Sequence, residues 1–216
     1  FPSNFVFKLP ENVSYAEGAM IEPLAVGLQA AEKAKIIPGE TALVMGCGPI
    51  GLVIALTALA GGCSKVFIAD IVGKKLEMCK YYKNLIPIDL NKENTAATVK
   101  KNTNNWGANI IFEASGATKA YDVIFDSICP AGKVVIVGNP MNSIPMDFAT
   151  LLTKEIEIKT VFRYAHQYER AINLLSSDKI DVKPMITDTV AFEDSIKAFE
   201  RAAKNLPEDV KIQIQL

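Results

Sequence analysis

Gly46, Gly48 and Gly51 stand in the run Val44-Met45-Gly46-Cys47-Gly48-Pro49-Ile50-Gly51, and Asp70 follows nineteen residues after the last of them. An apolar stretch, Thr41 to Met45, leads in. An apolar helical stretch, Ile50 to Ala60, leads out, and a second apolar run, Lys65 to Ala69, ends on Asp70. Strand, glycine turn, helix, strand and acid is the context in which G-x-G-x-x-G holds the pyrophosphate of a dinucleotide. Gly46 lets the chain turn sharply out of the strand. Gly48 lacks a Cβ, so backbone can approach a pyrophosphate, and Gly51 lets the helix pack closely on the strand. The helix N-terminus offers unpaired N–H groups and partial positive charge to phosphates. Pro49, in the first turn, gives up an N–H that has no intrahelical acceptor. A carboxylate at Asp70 can accept both ribose hydroxyl protons of an adenosine, and it repels the 2′-phosphate of NADP. The pattern therefore predicts NAD, a preference tempered by Lys74 and Lys75.

These residues need elements to hold them. Strands are predicted over 41–46, 65–70, 108–114, 133–137 and 156–162, with a short, proline-limited strand at 86–88. Helices are predicted over 23–34, 50–60, 74–82, 94–101, 118–127 and 147–154. The β-α-β-α order implies an α/β fold, a doubly wound parallel Rossmann sheet covered on both faces. From Tyr164 the pattern changes. Residues 168–175 read as helix, 185–191 as extended, and Phe192, Ile196, Phe199 and Ala203 recur near helical spacing. Val210, Ile212, Ile214 and Leu216 alternate with Lys211, Gln213 and Gln215, which predicts a half-buried antiparallel strand. Residues 1–22 read as mostly irregular. The expected division is a dinucleotide-binding domain over 24–163, with 1–23 and 164–216 as pieces of a separate domain.

The totals exclude several classes. The net charge of −1 points to no nucleic-acid or membrane-surface partner. No apolar run reaches transmembrane length without interruption, and residues 1–20 carry no basic start and apolar stretch of a signal peptide. A cytoplasmic protein is expected. Cys47, Cys63, Cys79 and Cys129 form no C-x-x-C pair, so buried free thiols in a reducing compartment are expected. Cys47 needs only to be small. With His166 as the single histidine, no ordinary three- or four-ligand zinc site can be built from this chain. Methyltransferases also carry glycine-rich first turns, and flavoproteins share the glycine pattern. The flanking strands and Asp70 favour a nicotinamide dinucleotide, and flavin motifs usually open their chains. A short-chain dehydrogenase is disfavoured because no Tyr-x-x-x-Lys occurs.

Glu22-Pro23-Leu24, Gly46 to Gly51, Phe112-Glu113-Ala114-Ser115-Gly116, Val137-Gly138 and Val161-Phe162-Arg163-Tyr164, with the ending Lys211-Ile212-Gln213-Ile214, come in a characteristic order. In this the chain resembles the medium-chain zinc-dependent polyol dehydrogenases, the family of xylitol dehydrogenase (D-xylulose reductase) and sorbitol dehydrogenase. The Glu-Pro-Leu and Phe-Arg-Tyr segments narrow the likeness to polyols. The resemblance implies a catalytic domain that precedes these residues and carries the zinc ligands, so that this chain alone binds NAD but does not turn over. It implies that Ile50, Asp70 and Lys75 contact NAD, Lys75 standing where the family often has arginine. It implies that Val137, Gly138 and Asn139 lie along the nicotinamide, and that Val161, Phe162 and Arg163 complete that pocket. Arg163 and Tyr164 would bind polyol hydroxyls, and Glu22 would sit beside zinc. A small polyol or ketose substrate and a homo-oligomer are expected. The competing readings are a non-catalytic nucleotide-binding module and a zinc-independent medium-chain reductase, which would have no need of Glu22 or Arg163. Taken without the resemblance, Arg163 and Tyr164 read as a surface pair, Glu22 as a helix-start acid, Phe162 as core and His166 as a loop residue.

Overall fold

A computed structural model describes residues 2–216. Thr41–Met45 (β1), Lys65–Asp70 (β2), Leu85–Asp89 (β3), Ala108–Glu113 (β4), Ile128–Ile136 (β5) and Glu157–Thr160 (β6) run parallel in one sheet, ordered β3-β2-β1-β4-β5-β6. Tyr15–Gly18 (α1) and Ile21–Ala34 (α2) precede the sheet. Pro49–Ala60 (α3), Gly73–Leu76 (α4), Thr95–Lys101 (α5), Ala120–Ser127 (α6) and Phe148–Lys154 (α7) alternate with its strands. The predicted α/β class and parallel sheet are therefore observed.

Central strands that read as continuous apolar runs should be covered on both faces, and β1 is. All five of its residues are buried. Ala42 and Val44 join the core formed with Leu24, Leu28, Leu52 and Val53, whereas Leu43 and Met45 join Phe67, Ile88, Tyr121 and Ile124 on the other side. Helix α2 lies on α3 at close range through Gly27. A Cβ there would stand 2.7 Å from the Val53 carbonyl oxygen. The sequence reading did not single out this glycine, whose signal is only a small residue inside an otherwise good helix.

Several expectations shift in detail. Pro87 does not cut β3 short, because β3 lies at the sheet edge, where a missing N–H costs no ladder bond on the open side. The helix expected over 74–82 divides into α4 and a 3-10 turn, Glu77–Tyr81. Helix α1 lies within residues read as irregular. Its sequence signal is Ser14-x-x-Glu17: the Ser14 side chain caps the Glu17 N–H, and Glu17 returns a bond to the Ser14 N–H at 3.0 Å.

The C-terminal part carries one correction. Tyr168–Ser176 (α8) packs against α2, where Gln167 and Arg170 reach Glu32. Ile186–Ala191 (β7) then leads through Ser195–Ala203 (α9) to Lys211–Gln215 (β8). Strands β7 and β8 form a separate two-stranded sheet and run parallel, not antiparallel as the alternation predicted. Alternation reports that one face of a strand is covered; direction is set by the connection. Here α9 serves as the crossover that returns the chain to run the same way. The predicted apolar stripe of α9 exists but faces outward: Phe192, Ile196 and Phe199 are exposed.

Candidate functional site: the crevice at the carboxyl ends of β1, β4 and β5

The chain leaves β1 towards β2 and β3, then crosses back to β4 on the other side of β1. Ligands of doubly wound sheets bind at such a reversal, outside the carboxyl ends of the strands. Three loops meet there. Gly46–Gly48 follows β1, Ala114–Gly116 follows β4, and Val137–Asn139 follows β5. The Gly46 N–H donates to the Ala69 carbonyl at 2.8 Å and the Ala114 N–H to the Met45 carbonyl at 2.9 Å.

The three glycines of the first loop differ in why they must be glycine. Gly46 has φ +103°, a conformation other residues rarely adopt, and its missing Cβ would crowd the Ala114–Ser115 backbone. Gly51 is excluded from carrying a side chain by packing, since a Cβ would stand 1.8 Å from the Gly46 carbonyl oxygen. Gly48, the N-cap of α3, has φ −82° and ψ −177°, which any residue can adopt, and nothing lies within 4 Å of a Cβ built on it. Neither backbone nor packing requires a glycine at 48; an approaching ligand would. Pro49 takes the first position of α3 as predicted, and Ile50 behind it packs on the core.

Asp70 ends β2, as expected. One carboxylate oxygen accepts from the Cys47 N–H at 2.7 Å and the other from the Val72 N–H at 2.8 Å. The acid thus ties the glycine loop to the end of β2, a role the sequence reading did not assign. A carboxylate offers about four acceptor sites, so two remain for a ribose. Lys75 is half-buried, and its carbonyl lies 3.4 Å from the Cys47 sulfur. All four cysteines are buried and free. A hydrogen bond with Cys79, together with burial, pushes the Cys47 thiol well above its ordinary range. That suits the small structural side chain expected in the loop, not a nucleophile.

The second group of expected residues lies after β6. Val161 is buried in the core that also receives Ile50 and Val137. Phe162 is 86% exposed, so the alternative reading of it as core fails. The Arg163 guanidinium lies over the Phe162 ring, 5.4 Å from its centre. The Tyr164 hydroxyl reaches the Glu22 carboxylate at 3.2 Å and the Tyr168 hydroxyl at 3.0 Å. The structure therefore joins Glu22 to Tyr164, and Arg163 to Phe162. The bond to Tyr168, burial and the Glu22 charge raise the Tyr164 phenol above its ordinary range, so it stays a donor at neutral pH. Tyr168 was missed in the sequence; its only signal is its place four residues after Tyr164. His166 lies in the loop between these residues, exposed and with φ +56°. Among the described residues, no group of three His, Cys, Asp or Glu side chains could hold a metal ion, and no helix is long and apolar enough to cross a membrane.

The parallel six-stranded sheet is the Rossmann-like fold of medium-chain dehydrogenases. The zinc-binding dehydrogenase family matches residues 49–177, and the chain belongs to that family. It is 46% identical over 204 residues to D-xylulose reductase of Morganella morganii, covering 94% of this chain and 60% of that protein. It is 34% identical over 212 residues to sorbitol dehydrogenase of Bacillus subtilis, covering 98% of this chain and 60% of that protein. The crystal structure of 2R,3R-butanediol dehydrogenase from Bacillus subtilis superposes with a TM-score of 0.90 at 26% identity, covering 97% of this chain and 60% of that one. The chain thus spans about three-fifths of the length of these relatives.

Proposed function

We propose that this chain is the coenzyme-binding portion of an NAD-dependent polyol dehydrogenase that interconverts a polyol of the xylitol or sorbitol type with its ketose. The observation that carries the NAD reading is Gly48, a glycine at the mouth of the first loop with open space around it and no packing contact that calls for it. The free N–H groups at the start of α3 take the pyrophosphate. Asp70 takes the adenosine ribose, Lys75 lies beside it, and Val137, Gly138 and Asn139 hold the nicotinamide half. Bound NAD supplies the hydride acceptor. The polyol reading rests on the names of the relatives and on Tyr164, whose hydroxyl donates to Glu22 and so presents a lone pair that can accept from a substrate hydroxyl. Arg163 binds a neighbouring hydroxyl, and Phe162 and Val161 close the nicotinamide side.

The described residues do not fit zinc. We place the metal in a part of the protein outside these 216 residues and derive no step through it. In the same reading, residues 24–163 form the NAD-binding domain and 1–23 and 164–216 pack with that further part. The outward apolar stripe of α9 supports this division.

The cofactor reading is tested by calorimetric titration with NAD and NADP. Asp70→Ala should weaken NAD and relatively favour NADP, the hydrogen bonds lost being worth roughly 1.5–3 kcal/mol each to a charged acceptor before solvent screening. Unchanged selectivity sinks the ribose role. For the substrate side, Tyr164→Phe in the full-length enzyme should lower kcat/KM for polyol oxidation by about tenfold, since one hydrogen bond of roughly 1–1.5 kcal/mol is lost. NAD affinity should not change. A variant with undiminished kcat/KM removes Tyr164 from the substrate site.

A further inference from the structure

Glu113 is the last residue of β4 and is fully buried. Its backbone carbonyl accepts from both the Val137 and Gly138 N–H groups at 2.8 Å, which knits the end of β4 to the end of β5. Its carboxylate accepts from the Ser115 N–H at 2.8 Å, the Ser115 hydroxyl at 2.5 Å and the Gly116 N–H at 3.0 Å. A Cβ on Gly138 would meet the second carboxylate oxygen at 2.4 Å and the Gly116 nitrogen at 2.3 Å. Gly116 has φ +67°. One buried acid therefore shapes two of the three loops of the crevice, and Ser115 in turn lies against Gly46 of the third.

Bracing a turn does not by itself require a charge. A buried ion is costly unless it is paired or heavily hydrogen-bonded, and a neutral amide of the same length also accepts hydrogen bonds. None of the ion pairs among the described residues includes Glu113. Among the described residues only N–H and O–H dipoles bond it, and no cation is paired with its negative charge. The carboxylate is buried directly beneath Gly138, on the inner side of the crevice loops. Resting on the NAD reading above, which puts the nicotinamide beside Gly138, we propose that Glu113 is a positioning residue whose buried charge favours the cationic oxidised cofactor over the neutral reduced one. It does so through space and touches neither cofactor nor substrate. Two unit charges separated by about 10 Å, at an effective dielectric of roughly 20, interact strongly enough to change an affinity by roughly tenfold.

The test is the ratio of NAD to NADH dissociation constants in the full-length protein, measured by fluorescence titration. Steric damage to the crevice weakens both forms and cancels in that ratio; loss of the charge does not. Glu113→Gln should weaken NAD about tenfold more than NADH. Glu113→Asp keeps the charge and should keep the wild-type ratio, even where both forms bind less tightly. Ser115→Lys sets a cation beside the carboxylate from an exposed position and should move the ratio in the same direction as Glu113→Gln; an unchanged ratio there overturns the proposal even where the glutamine variant does not fold. An unchanged ratio in Glu113→Gln, or an equal shift in Glu113→Asp and Glu113→Gln, overturns the proposal. Wild-type protein that binds neither form overturns the NAD reading itself, and this inference with it.

Discussion

Gly51→Ala should lower folding stability by about 3 kcal/mol, the upper part of the range for forcing an extra methyl into a packed interior. The new Cβ would lie 1.8 Å from the Gly46 carbonyl oxygen and 2.9 Å from its carbon, and both are backbone atoms. A flexible side chain could swing aside, but a peptide held at both ends cannot. The Gly46 N–H is bonded to Ala69, and Cys47 is bonded to Asp70. Retreat of α3 is blocked as well, since Gly51 through Ala58 are all buried. Either the turn or the helix must move by an ångström or more, and the N–H groups proposed to bind phosphate move with it. We therefore expect a lower urea midpoint at unchanged m-value together with loss of NAD binding. A midpoint within experimental error of wild type excludes this packing role for Gly51.

Gly48→Ala, three residues away, should do the opposite. The backbone at 48 suits alanine, and nothing stands within 4 Å of the added methyl. Stability should therefore stay level or rise by about 0.4–1 kcal/mol, because alanine restricts the unfolded chain. NAD affinity should fall about 5- to 150-fold, the equivalent of the roughly 1–3 kcal/mol cost of overpacking. Calorimetric titration and thermal melts on the same preparation separate the two effects. If stability and affinity fall together, Gly48 is a structural glycine and the main support for a cofactor in this crevice is lost. Glycines of identical appearance in the motif thus divide into one that packing requires and one that neither backbone nor packing requires.

Much of this was legible in the chain. The apolar runs of β1, β2 and β4, the turn at Gly46 and the acid at Asp70 are local signals. Continuous hydrophobicity forces burial on both faces, and burial on both faces forces a parallel sheet with helices on either side. The capping box at Ser14 and Glu17 was equally local and was overlooked. The direction of β8 was not available from its alternating residues, because pairing sense depends on the crossover through α9. The exposure of Phe162 was not available either. An aromatic residue at a strand end looks the same in a core and in a cleft wall.

The sequence by itself determined the sheet and the glycine turn, because those follow from periodicities of two to four residues and from the stereochemistry of glycine, and it raised the expectation of a dinucleotide. Only the tertiary structure decided which partners those residues meet. It made Asp70 a brace for the glycine loop, put Tyr164 against Glu22 across 142 residues of chain, and buried Glu113 where three strand ends converge. Each of these depends on distances between segments remote in sequence, fixed only when the whole sheet packs.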